Sequence, residues 1–276
     1  MSSENPELAR SVQTGNFKTN YHDVGAGENV FLIHGSGPGV TAWANWRLTI
    51  PALSDRFRVI APDMSGFGYT ERPDGIEYNM DRWVQHAIDL LDALDIQKTH
   101  LVGNSFGGAL ALALTIRYPE RVEKLVLMGS VGVHFELTPG LDKVWGYEPS
   151  IENMRGLLDT FAFNRELVSD ELAELRYKAS VQPGFQEAFS RMFPAPRQRW
   201  IKSMQSAEED IQNIKQKTLI IHGAEDQVIP VSTSEQFFRL IENSELHLFR
   251  NCGHWTQIEH KERFNTLISS FFSSGP

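Results

Sequence analysis

The amino-acid sequence predicts an α/β fold, a mostly parallel sheet with helices on both faces and a helical segment inserted after the sixth strand. Three observations carry this. Short apolar runs alternate with amphipathic stretches along most of the chain. The runs are rich in Val, Ile and Leu with no polar alternation, as strands covered on both faces must be. The alternation stops after Ser130 and resumes near Lys217, leaving a long stretch with helical periodicity and no comparable strand run.

In chain order, "QTGNFKTNYHDVG" reads as an antiparallel hairpin at one edge of the sheet. The strand candidates that follow are "NVFLIHG", "FRVIAPDM", "THLVGNS", "KLVLMGS", "TLIIHG" and "ELHLFRN". Between them lie helical patterns such as "DRWVQHAIDLLDALD", "FGGALALALTIRYP", "SEQFFRLIEN" and "ERFNTLISSFF". The interruption carries "VWGY", "MRGLLDTFAF" and "RMFPAPRQRW", too aromatic for a disordered linker. It is expected to be a helical lid over residues 137–205, with 1–136 and 206–276 forming the core domain. Loops of that length are usually functional.

With 276 residues, 41% of them hydrophobic, the chain can bury a sizeable core. Its net charge of −9 argues against a nucleic-acid partner, which calls for a basic face. One cysteine, Cys252, excludes an internal disulfide framework and fits a reducing compartment. The opening "MSSENPELARSVQTG" lacks an apolar signal core, and no run approaches the ~18 apolar residues of a membrane helix. A soluble, cytoplasmic protein without a membrane partner is expected.

The chemistry concentrates at corners after strands. "GNSFG" at 103–107 fits G-x-S-x-G between a strand and a helix, the context of a nucleophile elbow. The glycines permit a turn too tight for side chains, which lifts Ser105 clear of the sheet at the positive end of the next helix. A serine needs a base and an orienting acid. "LIIHGAEDQVIP" places Glu225 and Asp226 just past a strand, and "LHLFRNCGHW" places His254 past the next. Asp226 is favoured over Glu225 because it sits in the turn of G-x-x-D-x-x-x-P. Chain order Ser, Asp, His is the order this architecture uses. "FLIHGSGPGV" offers uncrowded backbone N–H groups at Gly35, Ser36 and Gly37, and those of Ser36 and Phe106 are the expected oxyanion donors.

These motifs carry a resemblance. With "HGSGPG", "GNSFGG", "GAEDQVIP" and "CGHW" in register, the chain resembles an α/β-hydrolase over essentially its whole length. More narrowly, "HGSGPGVTAWANW", "VGNSFGG" and "CGHWTQIEH" are similar to the meta-cleavage product hydrolases of bacterial aromatic degradation. That resemblance implies hydrolysis of a C–C bond in a 2-hydroxy-6-oxo-2,4-dienoate, a small anionic substrate, by Ser105, His254 and Asp226 without a cofactor. It also implies a homodimer. Attack by Ser105 and attack by a directed water are both compatible with the motifs.

An anionic substrate has one independent sign. In "DELAELRYKAS", Leu172, Leu175, Arg176 and Ala179 occupy the stripe of an amphipathic helix, which sets a guanidinium among apolar positions. Such a group needs an acid, either a substrate carboxylate or one inside the protein. The resemblance assigns Arg176 to the substrate carboxylate and makes Asn45, Asn104 and Trp255 substrate contacts. Without it, Asn45 would serve as a helix N-cap. Val131, Trp145, Ile201, Val228 and Ile229 are expected to line the acyl side and favour a small alkyl group. The nine histidines show no metal-binding spacing. Two alternatives share the triad: a carboxylesterase or lactonase, which ester turnover would reveal, and a ligand sensor, which slow turnover would reveal. Haloalkane dehalogenases and epoxide hydrolases carry Asp where Ser105 stands.

Overall fold

The computed structural model describes residues 5–275. Eight strands form one sheet: β1 Arg10–Thr14, β2 Phe17–Val24, β3 Asn29–Ile33, β4 Arg58–Pro62, β5 Thr99–Asn104, β6 Val122–Met128, β7 Lys217–Gly223 and β8 Ser244–Phe249. Their spatial order is β1-β2-β4-β3-β5-β6-β7-β8. The first two pair antiparallel around Gly15, with Thr14 opposite Phe17, and β2 pairs antiparallel with β4. Every other pair is parallel.

The apolar runs are continuous because alternate residues serve different cores. On β3, Phe31 and Ile33 join a cluster with Leu101, Leu125, Leu127 and the helices 80–93 and 106–117. Val30 and Leu32 point the other way, toward Trp46, Ile50, Phe264 and Ile268. Helix 106–117 is buried from Phe106 to Thr115, which explains why "FGGALALALT" has no polar face.

Between β6 and β7 there is no strand among the described residues. Five helices occupy this interval, at 139–145, 151–161, 170–180, 185–192 and 198–203, with a short sixth at 208–212 before β7. Thr138, Ser150 and Ser169 cap three of them, each side-chain oxygen accepting from a backbone N–H of the first turn. Among the described residues no helix is long and apolar enough to cross a membrane.

Strand order reverses at β3, which has β4 on one side and β5 on the other. The loops leaving β3 and β5 therefore diverge and open a crevice at the carboxyl end of the sheet. Phe31, fully buried in β3, anchors this point. Phe31→Ala should lower unfolding free energy by about 3–5 kcal/mol, read as a shift in urea midpoint at constant slope. A midpoint unchanged from the parent would show that the sheet centre does not depend on this side chain.

Candidate active site

Ser105 follows β5 with φ 56° and ψ −115°, a left-handed conformation that side-chain-bearing residues rarely adopt. Its neighbours make the turn possible. A methyl group on Gly103 would run into the carbonyl of Gly107, and one on Gly107 into the carbonyl of Ile33. Backbone bonds lock the corner: Ser105 N–H donates to Met128 O at 2.9 Å, and Val131 N–H donates to Ser105 O at 3.2 Å.

The acid and base arrive on the loops after β7 and β8. His254 Nδ1 lies 2.7 Å from Asp226 Oδ2, and both side chains are almost wholly buried. Asp226 Oδ1 accepts the N–H groups of Val228 at 2.7 Å and Ile229 at 3.0 Å. His222, which the sequence reading passed over, adds a fourth contact. Its Nε2 faces Ile229 O at 2.9 Å and Asp226 Oδ2 at 3.2 Å. Both partners are acceptors, so Nε2 carries the proton, and Nδ1 accepts from Ser234 Oγ at 2.6 Å. Burial opposes ionisation of Asp226, but the charge of His254 and the hydrogen bonds from His222 and His254 outweigh it. They hold the carboxyl well below its usual range. Asp226 is therefore a carboxylate that can orient His254.

Glu225 has a different task from its neighbour: its Oε2 accepts Cys252 N–H at 3.0 Å, fixing the histidine loop. Burial pushes the Cys252 thiol up to about 12, so it remains protonated. Glu259, also unforeseen, ties that loop to the insertion. Its Oε1 accepts from Gly253 N–H at 2.7 Å, and its Oε2 from Phe163 and Asn164 N–H at 2.9 and 2.8 Å. His254 N–H in turn donates to Phe161 O at 2.7 Å.

The loop after β3 is braced by His34. Met64 N–H donates to its Nε2 at 2.9 Å, leaving Nδ1–H to donate to Gly35 O at 2.8 Å. Gly35 N–H is taken by Asn45 Oδ1 at 3.3 Å. Ser36 Oγ accepts from Trp145 Nε1 at 3.0 Å, which ties the loop to the insertion. Phe106 N–H heads helix 106–117 and, like any first-turn donor, has no partner within its helix.

These elements border a cavity of about 140 Å³. Of the expected residues, Gly35, Ser36 and Gly37 form one wall, Asn45 and Asn104 another, and Arg176, His254 and Trp255 also face it. Ser105 itself is buried behind this surface. A methyl group on Gly35 would lie 3.4 Å from Ser105 Cβ and 2.9 Å from Asn104 Oδ1. Asn45 is not an N-cap: Thr41 caps helix 42–46, and Asn45 lies inside it. Its Nδ2 is buried without a protein partner, a donor available to a ligand.

Two expectations are corrected. Leu175 is 61% exposed, so the inward stripe of helix 170–180 runs through Leu172, Ala173, Arg176 and Ser180 instead. Val131, Trp145, Ile201, Val228 and Ile229 are not in the cavity wall. They are packed into the main core, where bulky side chains just past strand ends fill the space beneath the insertion. Arg176 does have an internal acid, Glu7, with Nη1 to Oε1 at 3.6 Å. The cavity also holds a second arginine, Arg47, that sequence reading missed. Its signal was available: it is the only charged residue in "VTAWANWRLTIPALS".

Burial pushes His34 down to about 4 and His86 down to about 3. Both lie below the value near 6.5 of an unfolded chain, so the unfolded state binds more protons below that pH. Stability is then fully present above about pH 6.5 and is lost as pH falls toward 4, by about 3 kcal/mol from His34 alone. The urea midpoint should drop between about pH 7.5 and about pH 4.5, and His34→Gln should flatten that dependence. Identical slopes for parent and variant would exclude His34 as a source.

The α/β hydrolase fold family matches residues 29–261. The 2-hydroxy-6-oxo-2,4-heptadienoate hydrolase of Pseudomonas putida is 60% identical over 274 residues, 99% of either chain. The 2-hydroxymuconate semialdehyde hydrolase of Pseudomonas sp. strain CF600 is 59% identical over 97% of this chain and 95% of its own. Among solved structures, the meta-cleavage product hydrolase CumD of Pseudomonas fluorescens IP01, a mutant complexed with acetates, superposes with a TM-score of 0.96. It is 60% identical, covering 97% of this chain and 98% of its own. With an elbow serine, a carboxylate-backed histidine and kinship across nearly the whole chain, the protein belongs to the α/β-hydrolase fold family, among the meta-cleavage product hydrolases.

Proposed function

We propose that this protein hydrolyses the C5–C6 bond of 2-hydroxy-6-oxo-2,4-dienoates with a small acyl substituent, such as 2-hydroxy-6-oxohepta-2,4-dienoate. One observation carries the reading: a Ser105 elbow after β5 and an Asp226–His254 pair on the loops after β7 and β8, with His254 and the guanidinium of Arg176 lining one cavity. An elbow serine and a buried cation suit a substrate that carries both a ketone and a carboxylate. The names of the relatives describe substrates of this kind.

Breaking a C–C bond requires somewhere to put the departing electron pair. Ketonisation moves the proton of the C2 hydroxyl to C5, so that C2 becomes a carbonyl conjugated with the carboxylate. Arg176, with Asn45 and Asn104, holds that end. Ser105 Oγ then attacks C6 while His254 takes its proton, and Asp226 stabilises the resulting imidazolium. The N–H groups of Ser36 and Phe106 receive the oxyanion, each worth about 3–4 kcal/mol of barrier. Collapse breaks C5–C6, and the electrons pass into the C2 enol system as His254 returns the proton. Water, deprotonated by His254, releases the acyl group. The products are 2-hydroxypenta-2,4-dienoate and a short carboxylic acid. Residues 137–205 act as the lid that excludes bulk water, and Trp255 stacked on Phe161 at 5.1 Å closes one side.

The side chains of Val131, Trp145, Ile201, Val228 and Ile229 pack into the core and do not line the cavity described above, and the acyl substituent is proposed to lie against them. These side chains leave little room: Val131 is fully buried, and its N–H is bonded to the carbonyl of the nucleophile.

The test follows the visible absorbance of 2-hydroxy-6-oxohepta-2,4-dienoate, beside its phenyl analogue and p-nitrophenyl acetate. Wild type should bleach the methyl compound rapidly. Ser105→Ala should not turn over, and Asp226→Asn should lose about 10⁴-fold in kcat. Brisk ester hydrolysis without bleaching would make the protein an esterase. A second measurement concerns the acyl side: Val131→Ala should raise kcat/KM for larger substituents relative to methyl. An unchanged ratio would remove Val131 from that pocket.

A further inference from the structure

The carboxylate end of the cavity holds more cationic charge than one arginine, and the chain supplies an acid of its own there. Arg47 and Arg176 both line the cavity. Arg47 Nη1 donates to Ala44 O at 2.7 Å, and Arg176 Nη2 donates to Gly39 O at 2.5 Å, so each head is held by a backbone carbonyl. Carbonyls position a guanidinium without neutralising it. The acid is Glu7, whose Oε1 is 3.6 Å from Arg176 Nη1, with the two side chains only 17% and 15% exposed. Glu7 acts on both cations: burial lowers the affinity of Arg176 and of Arg47 for their protons, and Glu7 offsets it in each.

Glu7 is not a passing surface acid. Its carbonyl accepts Asn20 Nδ2 at 2.9 Å, and the same amide donates to the buried Asp63 Oδ2 at 2.8 Å. Asn20 Oδ1 accepts Ala9 N–H at 3.0 Å, and Asn5 Nδ2 donates to Tyr69 Oη at 2.9 Å. The N-terminal segment is thus pinned on both sides of Glu7 to the strand β2 and the loop after β4. Asp63 also accepts Ala42 N–H at 2.6 Å, at the start of the helix that leads to Arg47. One network therefore positions the acid and the second arginine together.

We propose that Arg47, Arg176 and Glu7 form a single carboxylate-selecting unit, in which Arg47 is a second substrate-binding cation and Glu7 a resident counter-ion. Two guanidiniums and one carboxylate leave one net positive charge, which the single carboxylate of a monoanionic dienoate neutralises. Glu7 compensates the buried cations in the empty enzyme and contends with the substrate for Arg176. It sets affinity downward from what two bare arginines would give, which favours release of the carboxylate product. This inference rests on Arg176 being the carboxylate site, as proposed above.

Steady-state kinetics of Arg176→Gln, Arg47→Gln, Arg47→Lys and Glu7→Gln, with the dienoate and with its methyl ester, test the unit. Arg47→Gln should raise KM for the acid by about tenfold with the change confined to KM, and Arg47→Lys should recover most of it. Glu7→Gln should lower KM for the acid by about fivefold, and neither effect should appear with the uncharged ester. An unchanged or raised KM in Glu7→Gln, with normal thermal unfolding, would overturn the role of Glu7. Equal losses for acid and ester in both Arg47 variants would mean Arg47 is structural only. If Arg176→Gln left KM for the acid unchanged, the carboxylate reading itself would fail; if only Arg176→Gln raised it, that reading would stand and the three-residue unit would not.

Discussion

Ser105 at φ 56° and ψ −115° is a strained residue, and the site is arranged around keeping it there. Such a conformation costs on the order of 1–3 kcal/mol and survives only where surroundings over-determine it. Here the surroundings are the bonds to Met128 and Val131 and the close backbone approach at Gly103 and Gly107. Relaxing the corner would drop the hydroxyl into the sheet and turn the N–H of Phe106 away from the same reaction centre. The proposed nucleophile and the proposed oxyanion donor share one backbone constraint.

Around that corner the electrostatics are divided by distance from the nucleophile. Near it, groups are held in fixed protonation states. Asp226 is an anion surrounded by donors, while His34 is neutral and serves as a brace for the Gly35 loop. At the other end, two guanidiniums are fastened to carbonyls and partly balanced by Glu7. For the proposed substrate, neutral at its ketone and anionic at its carboxylate, such a field favours the orientation with the carboxylate at the guanidiniums.

Much of this was legible in the sequence, for physical reasons. Continuous apolar runs exposed a sheet covered on both faces, and G-x-S-x-G between a strand and a helix exposed the elbow. Asp226 and His254 could be placed because each follows a strand whose end was readable. What escaped depends on contacts between distant segments. Glu7, Asn20, Asp63 and Arg47 are brought together by β2 and β4 meeting in the sheet, which no local pattern encodes. Glu259 bonds a loop almost a hundred residues away, at Phe163 and Asn164. The helical stripe through Arg176 was read with Leu175 inside, whereas Leu175 faces solvent, because periodicity gives a helix its stripe but not the rotation at which it docks. The bulky residues past the strand ends were right for burial and wrong for the cavity wall, since apolar character does not distinguish filled space from empty space.

The backbone N–H of His254 is donated to Phe161 in the insertion, and Glu259 spans the same junction. His254 is thus fastened by its main chain to the helical insertion while its imidazole is fastened to the core through Asp226. Any opening that carries Phe161 outward pulls on the residue that must be aligned for proton transfer. In the lid proposed here, access and reactivity would be mechanically opposed: a movement that admitted a molecule would be the one that placed the proposed base least well, reserving bond breaking for the closed arrangement.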